Sequence, residues 1–421
     1  MFKTKFLLFV PFILMACKSS SNFTGFSYDP PGVTNTVGKT TEPQNRRVIG
    51  AGTPKIWISN EFGGARASDF YQIDANTFEI LIRPENAPIN NSPWFAFKIW
   101  SDSSHAVNLR LSYKSGKHRY LPKISGTQGS IIYSHVIQDA EYDTATGSTS
   151  FSLHVDQQPK TVSAHFLEGI RYSDLVAKAK RTQKPFVTID TVGYTHENRP
   201  VFEFTANETD APKAGVLVLL SRQHPPEVSG YRTYQAFWNE LISDSELARR
   251  FRSHFIIKAY PMVNPDGVAN GHWRHNVRGV DLNRDWENFN QPETQAIRDA
   301  LLSLKEDASK KVLYGIDFHS TNENIFYPIN EEIETKPDNL TQRWSVFIKE
   351  DNPDLNFRNE EFDTSSPISK NWIYKTFGSD AVTFEVDDEL DEFETRELGA
   401  NAARSLMKLL IEEWQRMETE E

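Results

Sequence analysis

The sequence predicts an α/β fold, a mixed sheet flanked by helices, preceded by a small antiparallel β-sandwich domain. Three observations carry this reading. Residues 48–165 hold short runs in which apolar and polar residues alternate. From about Arg171 onward, strand and helix patterns alternate instead. The chain of 421 residues also exceeds what one ordinary core organises, so two domains are expected. Hydrophobic residues make up 38%, in short and well-spaced runs, which excludes a membrane bundle and a disordered chain. A formal charge of −11 disfavours nucleic acid as a partner, because phosphate binding requires a concentrated basic surface.

The N-terminus reads as a secretory signal. Lys3 and Lys5 precede an apolar run, residues 6–15, that is too short to span a bilayer and stops at Ala16-Cys17. Leu14-Met15-Ala16-Cys17 resembles a bacterial lipobox, in which the Cys becomes the lipidated first residue of the mature protein. Cys17 is the single cysteine of the chain, so no disulfide competes for it. Residues 1–16 are therefore expected as signal peptide and Cys17 as a lipid anchor facing the cell envelope, the chain's one association with a membrane. Residues 17–47 are rich in Ser, Thr, Asn, Pro and Gly and are expected as a flexible tether.

In residues 48–165 the runs Thr77–Ile82, 94–100, 107–113 and 149–155 are rich in aromatic and β-branched residues. Gly, Pro, Asn, Asp or Ser bound each one, as in half-buried strands of a sandwich. His105, His118, His135 and His154 are scattered among them without catalytic spacing. In residues 166–421 the strand candidates are 186–190, 201–205, 215–221, Phe255–Tyr260, 312–318 and 381–385. Helical patterns fall at 229–241, 293–305, 340–349 and 394–416. This alternation argues for helices on both faces of a mixed sheet.

Two clusters carry chemistry. In Ser221-Arg-Gln-His224-Pro-Pro-Glu227, directly after an apolar strand, His and Glu three residues apart can face one ion. Zinc accepts imidazole nitrogen and carboxylate oxygen, and catalytic sites pair three protein ligands with an open position. The pair alone is a weak signal, and a third donor is needed. His319, within Asp317-Phe-His-Ser320 at the end of another strand, is the candidate, since strand ends of open α/β sheets form ligand crevices. The second cluster is Asn264-Pro-Asp-Gly267, Trp273-Arg274-His275-Asn276 and Gly279-Val-Asp-Leu-Asn-Arg284.

Together with Thr383-Phe384-Glu385, these blocks closely resemble the zinc carboxypeptidase family, in the family's order and from about Arg171 to the C-terminus. The Arg222-x-His224-Pro-x-Glu227 form is similar to the cytosolic carboxypeptidase-like branch, whose members carry an N-terminal β-sandwich. The resemblance implies a carboxypeptidase-type sheet and one zinc ion on His224, Glu227 and His319. It also implies hydrolysis of the C-terminal residue of peptides by a zinc-activated water. Glu385 would act as proton acceptor and donor, and Arg274 would stabilise the oxyanion. Asn283 and Arg284 would grip the substrate's terminal carboxylate, and Asp281 would orient His224.

Two departures stand out. The family tyrosine that closes over the bound C-terminus is expected before Ser365, where Phe362 stands. The arginine inside the metal motif of carboxypeptidase A is Pro226 here. If Trp372 matches the family tryptophan, Lys370 projects into the pocket for the terminal side chain and favours Asp or Glu. The expected substrate is a peptide or a peptidoglycan stem, and the expected state a monomer. Two other readings stay open, an aspartoacylase-like deacylase and an inactive peptidase fold used as a binding module.

Overall fold

The computed structural model describes residues 40–128, 131–181, 184–361 and 364–420. Cys17, the signal segment and most of the expected tether lie outside the described residues. Residues 40–47, expected as the tether's end, are instead pinned to the fold. The Thr41 hydroxyl donates to the Val277 carbonyl at 2.7 Å, and the Gln44 amide donates to Ala65 and Asn270. Arg46 donates to the carbonyls of Asn60, Phe62 and Ala269. All these contacts are polar, so no apolar pattern announced them.

The N-terminal strands form two sheets. One runs in the order Val48–Ala51, Ile56–Ser59, Ala96–Ser101, Lys160–Ser163, Lys123–Gln128, Ile131–Val136. The other runs Asp69–Gln72, Thr77–Ile82, His105–Tyr113, Ser148–Val155, Glu141–Asp143. Alternation matches burial: every second residue of Thr77–Ile82 faces the core. The pairing of Thr77–Ile82 with His105–Tyr113 is parallel, a departure from the antiparallel expectation. Of the scattered histidines, His105, His118 and His154 are bonded to Ser103, Tyr113 and Ser104.

The C-terminal part is an eight-stranded mixed sheet in the order Val187–Tyr194, Pro200–Ala206, Phe255–Tyr260, Ala214–Ser221, Lys310–Thr321, Asp380–Asp387, Asn324–Tyr327, Phe357–Asn359. The central four strands are mutually parallel. Ala214–Ser221 is buried along its whole length, as a central parallel strand covered on both faces must be. Leu217 and Leu219 pack with Tyr231, Trp344, Leu406 and Trp414 of the helices Val228–Leu241, Leu340–Asp351 and Glu392–Glu420. The intervening Val216, Val218 and Leu220 pack on the opposite face with Ile297, Leu301 and Ile373 of Pro292–Leu302 and Ser369–Phe377. The short strands Asn324–Tyr327 and Phe357–Asn359 and the helix Ser369–Phe377 were not read from the sequence, being too brief for a periodic signal.

The two parts share one apolar core, in which Trp94 and Phe95 of the sandwich adjoin Val268 and Trp273. The Trp273 indole donates to the Trp94 carbonyl at 3.1 Å. Among the described residues, no helix is long and apolar enough to cross a membrane.

Candidate active site

The metal-ligand candidates come from two adjacent parallel strands. After Ser221 the chain turns through Arg222, at a φ of 57°, and through Pro225-Pro226, which cannot continue a ladder. Glu227 then stands as the N-cap residue of Val228–Leu241. His319 lies near the end of Lys310–Thr321, the neighbouring strand. Gly230 lets the helix settle there: a Cβ on it would sit 2.2 Å from the His319 carbonyl oxygen. Its N–H donates to the Ser320 hydroxyl at 2.8 Å.

His224 Nδ1 lies 2.7 Å from Glu227 Oε1, and His319 Nδ1 lies 2.7 Å from Glu227 Oε2. The donor atoms of the three residues all lie within 4.8 Å of one another. Each imidazole has its other nitrogen tied to a buried carboxylate, His224 to Asp281 at 2.9 Å and His319 to Asp317 at 2.8 Å. Those second bonds leave both Nδ1 atoms for a shared point. Burial opposes charge on each imidazole, yet Glu227 with Asp281, and Asp317 with Glu227, hold His224 and His319 above the usual value. Burial likewise opposes the Glu227 carboxylate, and the two imidazoles hold it well below its usual range. Surroundings that stabilise positive charge between two nitrogens and a carboxylate fit a divalent cation, and this donor set suits zinc.

Asp281 joins the metal-ligand candidates to the arginines. It caps the 3-10 turn Leu282–Arg284 by accepting the Asn283 N–H at 2.9 Å, and it accepts from Arg274 Nε at 2.8 Å. Burial opposes its charge, but Arg274, His224 and Arg284 hold it well below the carboxylate range. Asn283 Oδ1 accepts the Ser369 N–H at 3.0 Å, and its amide nitrogen lies 3.3 Å from His319 Nε2. Glu385 sits directly across the ladder from His319. The residue is half-buried, but its Oε2 is buried and lacks a hydrogen-bond partner among the described residues, and desolvation pushes its carboxyl up to about 7. His224, Glu227, His319, Arg274, Asn283, Arg284 and Glu385 line one cavity at the carboxyl ends of the central strands.

The structure does not bring Lys370 into that cavity wall. Lys370 is fully buried in the first turn of Ser369–Phe377, and its ammonium donates to the Pro328 carbonyl at 2.6 Å. The expected projection into the pocket fails because a helix begins here and turns the side chain inward. Phe362 lies outside the described residues. Six contributors escaped the sequence reading. Asp317 orients His319 and accepts from Gln223 at 2.5 Å and from the Ser369 hydroxyl; its position two residues before His319, on the same strand face, was the available signal. Tyr327 lines the cavity, as do Asn90, Ser92 and Arg119 of the sandwich. Glu85, also from the sandwich, is fully buried and accepts the backbone N–H groups of Trp273, Arg274 and His275 at 2.7, 2.9 and 2.8 Å.

An α/β sheet with two imidazoles, a carboxylate and a half-buried second glutamate at its strand ends defines a metallohydrolase-type centre. A family model described as zinc carboxypeptidase matches residues 172–394, more than half of the chain. The chain belongs to the zinc carboxypeptidase family. It is 32% identical over 169 residues to cytosolic carboxypeptidase 3 of Mus musculus, covering 38% of this chain and 16% of the relative. It is 36% identical over 127 residues to cytosolic carboxypeptidase 2 of Homo sapiens, covering 29% of this chain and 14% of that one. The chain thus spans only a small part of these curated relatives. A metallo-carboxypeptidase from Burkholderia cenocepacia superposes with a TM-score of 0.68 at 18% identity, over 86% of this chain and 99% of that one. A metallo-carboxypeptidase from Pseudomonas aeruginosa superposes with a TM-score of 0.64 at 18% identity, over 85% and 99%. At these identities the two structures establish the shared fold.

Proposed function

We propose that this protein is a zinc metallocarboxypeptidase that removes the C-terminal residue of peptides. The observation that carries the reading is Glu385 Oε2, buried and without a hydrogen-bond partner among the described residues, beside three converging metal-ligand candidates, with Asn283 and Arg284 in the same cavity. Zinc held by His224, Glu227 and His319 would supply Lewis acidity to the scissile carbonyl and activate water. Asn283 and Arg284 bind the terminal carboxylate, a planar guanidinium meeting both oxygens. Arg274, fixed by Asp281, meets negative charge developing on the carbonyl oxygen. Glu385 accepts the proton from water and passes it to the leaving amine. Desolvation keeps the carboxyl basic enough for that exchange.

The test compares peptides with free and amidated C-termini. Zinc-dependent hydrolysis confined to free termini is expected, abolished by a chelator and restored by zinc. Equal rates on both peptides would favour the deacylase reading. Glu385→Gln should retain zinc and lose activity by several orders of magnitude. A variant as active as the parent would remove the mechanism.

For the terminal side chain we propose an acidic preference. Support comes from the positive charge of Arg274 and Arg284 in the wall. A series varying only the last residue tests this, peptidoglycan-stem peptides included. The envelope location, the lipid anchor at Cys17 and a monomeric state belong to the same proposal and rest on the N-terminal sequence. Loss of lipid labelling and of membrane association in Cys17→Ala is the expected outcome.

A further inference from the structure

The outer face of the sandwich's six-stranded sheet carries two tryptophans that the core does not use. In Ile56–Ser59 and Ala96–Ser101 the residues Ile56, Ile58, Phe97 and Ile99 point inward and are buried, so Trp57 and Trp100, which alternate with them, point outward. Both indoles are half-buried, and the two residues pair directly across the antiparallel ladder. Their ring planes lie 13° apart and their centroids 6.3 Å apart. That separation exceeds face-to-face contact, so the rings are displaced sideways and present a broad aromatic strip. Gly50, opposite Trp57 on the next strand, makes room for it: a Cβ there would sit 2.8 Å from Cδ1 and Nε1 of the indole.

The surroundings of the strip are polar. Ser59, Lys98, Thr161 and Ser125 follow one another across the same face on neighbouring strands. Lys98 is exposed, with its ammonium 5.7 Å from the Phe62 ring centroid, and the exposed Lys55 reaches beside Trp57 over Gly50. Neither ammonium has a carboxylate within ion-pair distance among the described residues. In a chain with a formal charge of −11, two unpaired lysines beside an aromatic strip make a local excess of positive charge. A pyranose ring matches this pattern. Its axial C–H groups form an apolar face that packs on an indole by dispersion and release of water, and the hydroxyls at its rim bond to Ser, Thr and Lys side chains. A protein partner fits less well: a standard interface takes about 800 Å2 from each side around an apolar centre, which two half-buried indoles amid hydroxyls and ammoniums do not supply.

We infer that this face is a binding surface for an acidic glycan, with pyranose rings seated on Trp57 and Trp100 and carboxylates of the same glycan meeting Lys55 and Lys98. It acts apart from the metal centre and gives the sandwich a role of its own, holding the protein on a carboxylated polysaccharide. The test is titration calorimetry of zinc-loaded full-length protein with an oligogalacturonate, with peptide-free peptidoglycan glycan strands and with a neutral cello-oligosaccharide. Saturable binding of at least one acidic glycan is expected, tighter than that of the neutral one, and which of the two binds distinguishes a uronate from a muramate source. Trp57→Ala and Trp100→Ala should each weaken binding at least about tenfold, as truncation of an aromatic anchor does. Gly50→Val keeps both tryptophans but displaces the Trp57 indole, and should have the same effect. Lys98→Met should abolish the preference for the acidic over the neutral glycan. Zinc content and the far-ultraviolet circular dichroism spectrum should stay as in the wild type in all four. Tyr142→Ala, which removes an exposed ring from the other sheet, should bind like the wild type. Failure of the wild type to bind either acidic glycan, equal affinity for the neutral one, wild-type affinity in both tryptophan variants, or loss of binding in Tyr142→Ala would overturn the inference.

Discussion

Glu85 of the sandwich accepts the backbone N–H of Arg274 at 2.9 Å, so the domain without catalytic motifs holds the loop that carries Arg274, the arginine proposed to face the oxyanion. The same carboxylate takes the N–H groups of Trp273 and His275. Replacing it by alanine leaves three buried donors unmet, at about 1–3 kcal/mol each. Glu85→Ala should lower stability and reduce kcat at least tenfold with zinc content retained. Full kcat in that variant would separate the sandwich from Arg274.

Glu85 also sets an acid limit. Burial opposes its charge, but His272, His275 and Arg66 lower its carboxyl to about 2, from an ordinary value of 4.5. A depressed carboxyl contributes stability that is fully present above about pH 4.5 and is lost as pH falls toward 2. The stability difference between wild type and Glu85→Gln should therefore be largest at neutral pH and shrink between pH 4.5 and pH 2. Denaturant titrations at pH 7 and pH 3 measure it, and equal differences at both would refute the linkage.

Asp317 orients His319 through Oδ2. Asp317→Ala frees the imidazole and strips partners from Gln223 and Ser369. Zinc affinity should fall about 10–100-fold in a chelator competition. Wild-type affinity would mean that Lys310–Thr321 alone positions the ring.

Gly230→Ala places a methyl carbon against the His319 carbonyl. The helix Val228–Leu241 and the strand must separate, which moves Glu227 from His319. We expect a stability loss of about 1–3 kcal/mol together with weakened zinc binding. Because Ser229 is buried beside Gly230, Ser229→Ala serves as the control that should leave zinc binding intact.

Glu293 is buried, and burial, with Asp266 and Asp285 nearby, pushes its carboxyl up to about 8. A raised carboxyl destabilises the fold progressively as pH rises from about 4.5 to 8, because the unfolded chain ionises first. Glu293→Gln should raise stability at pH 8 by about 1–4 kcal/mol and change it little at pH 4. A variant less stable at pH 8 would show that the ionised carboxylate is needed.

The sequence by itself determined the ligand candidates His224, Glu227 and His319, with Arg274, Asp281, Asn283, Arg284 and Glu385 around them. These residues sit in short motifs at strand ends, and their side-chain chemistry narrows their use. The long central strands and the helices Val228–Leu241, Leu340–Asp351 and Glu392–Glu420 were also legible, because a strand buried on both faces and a periodic apolar helix face each leave a pattern. The grip of Glu85 on a loop 189 residues away, and the entry of Arg119 into the catalytic cavity, were decided only by tertiary structure. Such contacts depend on how two sheets dock, and no local spacing encodes that. Lys370 shows the same limit at short range: where Ser369–Phe377 begins sets whether its ammonium meets the cleft or the Pro328 carbonyl.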